Sequence, residues 1–363
     1  MTDHRPGLEL SELFYREAVA PVLAREFPGV AHAAARVGSG SEVLGFDTAR
    51  SMDHEWGPRL QLFLREEDEG RHGAEIAATL GHALPREIAG FPTHFAETHE
   101  PGVSAMRPAG GGPIGHKVEV TTLERFLRER LGIASVENLG VLDWLTFSEQ
   151  ALLEVTAGAV FHDGLQTLEA SRRRLAYYPD DVWRYLLAAQ WTRISQQEPF
   201  VGRTGEVGDD LGSRSIAAAL ARDAMRLAFL MERRYAPYSK WFGSAFARLK
   251  CAPALQPHLA AALAATEWRE RETHLVRAYE HLAAMHNALG LTAPLPARAS
   301  RFHNRPFLVI HGEVFADAIL AGIEDPRLRA LPYGVGSVDQ FVDSTDVLSN
   351  APVRRRVGAV YED

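Results

Sequence analysis

The chain changes its pattern near residue 122. Before that point apolar residues come in short alternating runs broken by glycine and proline; after it they recur at helical spacing over long stretches. The sharpest alternation is Arg59–Leu64, with Leu60, Leu62 and Leu64 on one face and Arg59, Gln61 and Phe63 on the other. Residues 30–37, 91–98 and 117–121 read as further strands. Residues 9–26 read as a helix that Pro21 kinks or splits, ending at Phe27-Pro28-Gly29, and residues 72–83 read as a second helix. The stretch 100–115, EPGVSAMRPAGGGPIG, reads as a flexible loop. Beyond it, segments 122–132, 143–155, 181–195, 214–235 and 255–290 are long and amphipathic. The expected fold class is therefore α+β: a small mixed-sheet domain over residues 1–130, then a helical-bundle domain over residues 131–363.

A length of 363 residues suits two domains, and 46% hydrophobic with 24% charged residues suits a globular chain. The net charge of −8 argues against a general electrostatic grip on nucleic acid and favours a small-molecule partner. A single cysteine, Cys251, allows no internal disulfide and fits a reducing compartment. The opening MTDHRPGLELSELF has no apolar signal core, and no run approaches the roughly 20 apolar residues that span a bilayer. A cytoplasmic protein without a membrane partner is expected.

Chemistry concentrates in Val37-Gly38-Ser39-Gly40-Ser41 and in Asp53-His54-Glu55, with eleven residues between Ser41 and Asp53. Glycine and serine let backbone N–H groups approach a triphosphate closely. In an extended strand, residues two apart point to one face, so Asp53 and Glu55 would present their oxygens together. Such oxygens suit Mg²⁺ or Mn²⁺, which join carboxylates to substrate phosphates. A third carboxylate is sought on a neighbouring strand: Glu119, between Val118 and Val120, is the first choice and Glu97 the second.

Residues 37–56, VGSGSEVLGFDTARSMDHEW, resemble the active-site signature of the DNA polymerase β-like nucleotidyltransferase superfamily. The wider text, including GSVDQFVDSTDVL at residues 336–348, resembles a bacterial family of unknown function attached to that superfamily. The resemblance implies that residues 1–130 form a nucleotidyltransferase-like catalytic core. It implies transfer of a nucleoside monophosphate from an NTP, with ATP the first choice, to a hydroxyl of an acceptor. By the same resemblance Asp53, Glu55 and Glu119 are catalytic and hold metal, while Gly40, Ser41 and Ser51 bind nucleotide. One departure is the insertion of Trp56-Gly57-Pro58 between the acid pair and the alternating strand.

Nucleotidyltransferases of the polymerase-like and antibiotic-modifying types commonly close a helical domain over the nucleotide. By that analogy Tyr238 and Lys240 are candidate nucleotide ligands, lysine being scarce here. The stretch 200–214, with four glycines and alternating charge, reads as a long polar loop, so Arg203, Glu206 and Arg214 are candidates for the acceptor. An inactive nucleotide-binding sensor or scaffold of the same fold is the alternative function. A metal-dependent hydrolase at His162-Asp163 is a third. Asp339, Asp343 and Asp346 have the spacing of one helix face, and Trp183, Trp191 and Phe229 read as core.

Overall fold

A computed structural model describes residues 5–331 and 334–362. The chain forms two compact units: residues 1–138 with 151–176, and residues 139–150 with 177–363. The polypeptide thus returns to the first unit after leaving it.

The main strands of the first unit are β1 Ala33–Arg36, β2 Arg59–Leu64, β3 His94–Glu97, β4 Ser104–Arg107, β5 Lys117–Thr122 and β6 Ala159–Asp163. Four of them make a mixed sheet in the order β5-β2-β1-β6. β1 runs antiparallel to both β2 and β6, and β2 runs parallel to β5. β3 and β4 form a separate antiparallel hairpin.

Alternation along β2 decides what each face does. Leu60, Leu62 and Leu64, with Val118 from β5, are buried against Phe14, Val19 and Leu23 of the N-terminal helical segment and Ile76 and Leu80 of the helix after β2. That burial stabilises this face of the sheet. The N-terminal segment runs as α1 Gly7–Phe14, a π-helical turn Tyr15–Val19, and α2 Ala20–Glu26. Pro21 has no N–H to give to the preceding turn, so the irregularity falls just before it, as its position predicts. The other two helices of this unit that matter are α3 Glu66–Ala83 and α4 Leu123–Leu131. On the opposite sheet face, register sets Arg59 beside Lys117, Gln61 beside Glu119 and Phe63 beside Thr121. Phe126 of α4 meets Phe63 edge-on at 5.5 Å, so an apolar cover lies over one end of that face and a polar strip over the other.

The second unit is helical: α5 Asp180–Gln197, α6 Phe200–Glu206, α7 Asp210–Met231, α8 Ser239–Phe246, α9 Ala252–Ala264, α10 Trp268–Leu289 and α11 Gly312–Leu320. Trp183, Trp191 and Phe229 are buried within it. Together the small mixed sheet and the helical part make the α+β class that the sequence pattern implies.

Four local expectations are corrected. Residues 200–214 are not a loop. Phe200–Glu206 is α6, and Asp209 caps α7 by accepting the Gly212 N–H at 2.8 Å. A Cβ at Gly202 would lie 2.4 Å from Phe307, and one at Gly205 would lie 2.3 Å from Trp268, so these glycines serve close packing, not turning. The Gly/Pro-rich stretch 100–115 contains strand β4, and residues 91–98 are broken, with only His94–Glu97 pairing to it. β6 lies among residues whose pattern reads as helical. Asp339, Asp343 and Asp346 share no helix face: Asp339 is buried in the turn Val338–Phe341, Asp343 pairs with Arg222 at 2.7 Å, and Asp346 opens a separate helix. Among the described residues no helix is long and apolar enough to cross a membrane.

Candidate functional site

β1 delivers Arg36 to the start of the glycine turn, where it is only 1% exposed. Its guanidinium donates to the backbone carbonyls of Val37 and Ser39 and, from Nε, to Glu42 Oε1 at 2.8 Å. Glu42 Oε1 also accepts from Arg59 Nη2 at 2.7 Å and Arg59 Nε at 3.0 Å. The turn is therefore fastened to the sheet by two guanidiniums closing on one carboxylate. Gly38 and Gly40 have φ of +81° and +143°. A Cβ on Gly40 would lie 2.5 Å from Arg36 Nη2 and 2.7 Å from Arg59 Nη2, so only glycine fits. Burial pushes the Glu42 carboxyl up, but Arg36 and Arg59 outweigh it and hold it below the usual range. Burial and the neighbouring Arg59 bring the Arg36 guanidinium down to about 10.

The Asp53–Glu55 segment is not extended. Asp53 ends a 3-10 turn, Ala49–Asp53, is exposed, and pairs with His54 Nδ1 at 2.8 Å. Ser51 caps the same turn, its Oγ accepting the Thr48 N–H at 3.0 Å. Glu55 has φ of +47°, in the left-handed region and not in the extended one. The Glu55 N–H donates to Ser104 O at 2.8 Å. Its Oε1 accepts from Ser104 N at 2.8 Å and Ser104 Oγ at 2.6 Å. Lys117 Nζ lies 3.3 Å from Oε2. Burial raises the Glu55 carboxyl, yet the Ser104 bonds and Lys117 bring it below its ordinary value.

Glu119 sits beside Gln61, whose Nε2 donates to it at 3.0 Å, while Gln61 Oε1 accepts the Val37 N–H at 3.1 Å. Lys117 and Glu119 are two residues apart on one strand, so their Cα atoms are roughly 7 Å apart and share a face. The structure thus brings the glycine turn, Glu55 and Glu119 to one polar strip of the sheet, and leaves Asp53 exposed with His54 as its partner. Glu97 lies opposite Ser104 in the hairpin, exposed. Among the described residues, no three His, Cys, Asp or Glu side chains gather as around a metal ion.

Sequence reasoning misses Arg36, Glu42, Arg59, Ser104 and Lys117. The signal for the first two is local: an arginine ends the strand before the turn and a lone acid lies inside it. Ser104 has no local signal, because it comes from a hairpin whose composition is that of a loop.

In the second unit, Ala236 N–H donates to Glu149 Oε2 at 2.7 Å and Tyr238 N–H to Gln150 Oε1 at 3.2 Å. Lys240 is exposed, with Nζ 5.0 Å from the centroid of the Trp241 ring. Glu149 N–H in turn donates to buried Asp339 at 2.9 Å. Arg203 and Glu206 are exposed on α6, and Arg214 on α7 pairs with Asp210 at 2.6 Å. His162 stands in β6 with its ring 4.8 Å from His32, and Asp163 accepts the Glu169 N–H at 3.0 Å.

A domain of unknown function (DUF4037) matches residues 144–242, which hold Glu149, Tyr238 and Lys240. No curated protein matches the chain. Among solved structures, a nucleotidyltransferase-like protein from Exiguobacterium sibiricum is similar at 10% identity and a TM-score of 0.33, over 79% of this chain and 82% of that one. A likeness of that degree carries no weight for fold or chemistry.

Proposed function

We propose that the chain is a nucleotidyltransferase that moves a nucleoside monophosphate from an NTP, ATP in the first instance, to a hydroxyl of a small acceptor. The observation that supports it is the fastened glycine turn on the same sheet face as Glu55 and Glu119, with Arg59 and Lys117 between them. The Gly38 N–H donates to Glu154 O at 2.7 Å, so backbone N–H groups of residues 39–41 would face the phosphates, and Arg59 would steady the turn that carries them. Glu55 and Glu119 would hold Mg²⁺ or Mn²⁺. The all-oxygen donor set fits such cations, which ordinarily take one or two carboxylates plus phosphate oxygens, so a closed three-acid cage is not required. The cation, when bound, supplies neutralisation of the charge on the transferring phosphoryl group. The residues' own work is to align the phosphate chain and keep the turn rigid. Exposed Asp53 is a further candidate contact to the metal.

The test is label transfer from α-labelled NTPs into a metabolite extract. Transfer that Glu55→Gln with Glu119→Gln reduces by about a hundredfold or more supports the reading. Full transfer in that double variant would falsify it. The partners already held by Glu55 and Glu119 favour one second reading, a nucleotide sensor without catalysis. It predicts NTP binding that needs no divalent cation and no label transfer.

A further inference from the structure

Arg36, Glu42, Arg59, Glu55 and Lys117 form a ladder of alternating charge that runs from the core to the surface. At its inner end Arg36 and Glu42 are both 2% exposed by side chain. Arg59, in the middle, is 13% exposed and commits Nε and Nη2 to Glu42, so Nη1 alone faces Glu55, at 3.8 Å. At the outer end Glu55 and Lys117 are 34% and 37% exposed and meet at 3.3 Å. The ladder sets three cations against two anions, and Glu119, hydrogen-bonded to Gln61 one row further along, is a third carboxylate whose charge reaches Arg36.

The two ends differ in how easily they change partner. Removing either member of the inner pair would strand a buried charge. The outer pair is long and solvated, and such pairs hold weakly. Glu55 does not depend on Lys117 alone for its position, because Ser104 gives Oε1 two short bonds; Lys117 Nζ straddles the carboxylate at 3.4 Å from Oε1 and 3.3 Å from Oε2, and Arg59 Nη1 faces Oε2. An ammonium with three donors on a flexible stem is suited to phosphate oxygens as a mobile point charge.

We propose that Lys117 and the Nη1 arm of Arg59 bind the phosphate chain of the nucleotide, and that Glu55 competes with the phosphates for them. The inference rests on the nucleotidyltransferase reading for its ligand and goes beyond it in assigning these two cations. It makes Glu55 an internal phosphate mimic whose neutralisation strengthens anion binding before any cation is involved.

The test measures binding of inorganic tripolyphosphate and of ATP by calorimetry in EDTA, with a parallel ATP titration in magnesium. Glu55→Gln keeps an oxygen for Ser104 and should tighten metal-free binding of both probes by about tenfold. Lys117→Met should weaken it by about tenfold, and Lys117→Arg should restore most of the loss. In Lys117→Met with Glu55→Gln, the gain from Glu55→Gln should shrink to a small fraction, because its beneficiary is gone. Thermal melts establish that each variant is folded, and Lys117→Arg keeps the test decisive if Lys117→Met is not. No gain in Glu55→Gln, or equal binding in Lys117→Met, would overturn the assignment. Failure of the wild-type chain to bind ATP with magnesium present would instead overturn the nucleotidyltransferase reading, and tripolyphosphate would still decide the ladder.

Discussion

The guanidinium of Arg36 lies 2.7 Å from the Glu42 carboxylate, with both side chains only 2% exposed. Glu42 Oε2 is buried without a hydrogen-bond partner among the described residues, so the carboxylate relies on Arg36 and Arg59 at Oε1. Arg36→Met leaves Glu42 with half its compensation and frees the carbonyls of Val37 and Ser39. Loss of about 3–5 kcal/mol is expected, read by denaturant unfolding. Arg36→Lys should recover little, since one ammonium cannot reach three acceptors set in a guanidinium's geometry. If Arg36→Lys is as stable as wild type, the fastening role is wrong.

Gly40 tests the same network from the backbone side. Its φ is +143°, and a methyl placed there would meet Arg36 and Arg59 at 2.5–2.7 Å, so Gly40→Ala strains the turn and pushes on the ion cluster. A loss of about 1–3 kcal/mol is expected. Gly110, with nothing within 4 Å of its notional Cβ, is the control, and Gly110→Ala should change stability by under about 0.5 kcal/mol. Equal melting temperatures for the two variants would show that the turn can shift freely.

These two positions show what local pattern can and cannot encode. The alternation of Arg59–Leu64 and the glycine turn are legible because both are properties of a few consecutive residues. The partners of Glu42 lie six and seventeen residues away, and nothing local pairs them. The two-residue spacing of Asp53 and Glu55 fits a strand, yet Gly57-Pro58 delays β2 until Arg59 and leaves the acids in the preceding turn. The α+β class follows from periodicity. The return of Ala159–Asp163 to the sheet does not, since a five-residue strand flanked by helices leaves almost no trace.

The packed glycines of α6 carry a third prediction. Gly205 faces Trp268 so closely that a Cβ would lie 2.3–2.5 Å from its Cγ, Cβ and Cδ1. Gly205→Ala should destabilise by about 1–3 kcal/mol through overpacking, although alanine is the better helix former. Gly243 in α8 has open space around it, and Gly243→Ala should stabilise by up to about 1 kcal/mol. Stabilisation by both changes would mean that α6 is not packed against Trp268.

Glu149 makes the stability of the helical unit depend on pH in the direction opposite to an ordinary surface carboxylate. Burial, and then the nearby Asp339, push its carboxyl from 4.5 up to about 8, with Arg226 and the Ala236 N–H opposing. Tyr177, Tyr178 and Tyr235 also face it. A raised folded-state value means that the native state binds the proton more tightly than the unfolded chain. Its contribution is therefore complete below pH 4.5 and falls as pH rises towards 8. Glu149→Gln keeps an oxygen for the Ala236 N–H and removes the titration. The variant should be no more stable than wild type near pH 4.5 and more stable by over about 1 kcal/mol above pH 8. Asp339, whose carboxyl burial also raises, and Glu198 and Glu272, both pushed up to about 7 by burial, will leave part of the slope in place. Tryptophan fluorescence is the suitable probe, because Trp144, Trp183, Trp191, Trp241 and Trp268 all lie in the helical unit and only Trp56 lies outside it. A stability difference between wild type and Glu149→Gln that stays constant from pH 4.5 to 8 would mean that Glu149 is ionised in the folded protein throughout.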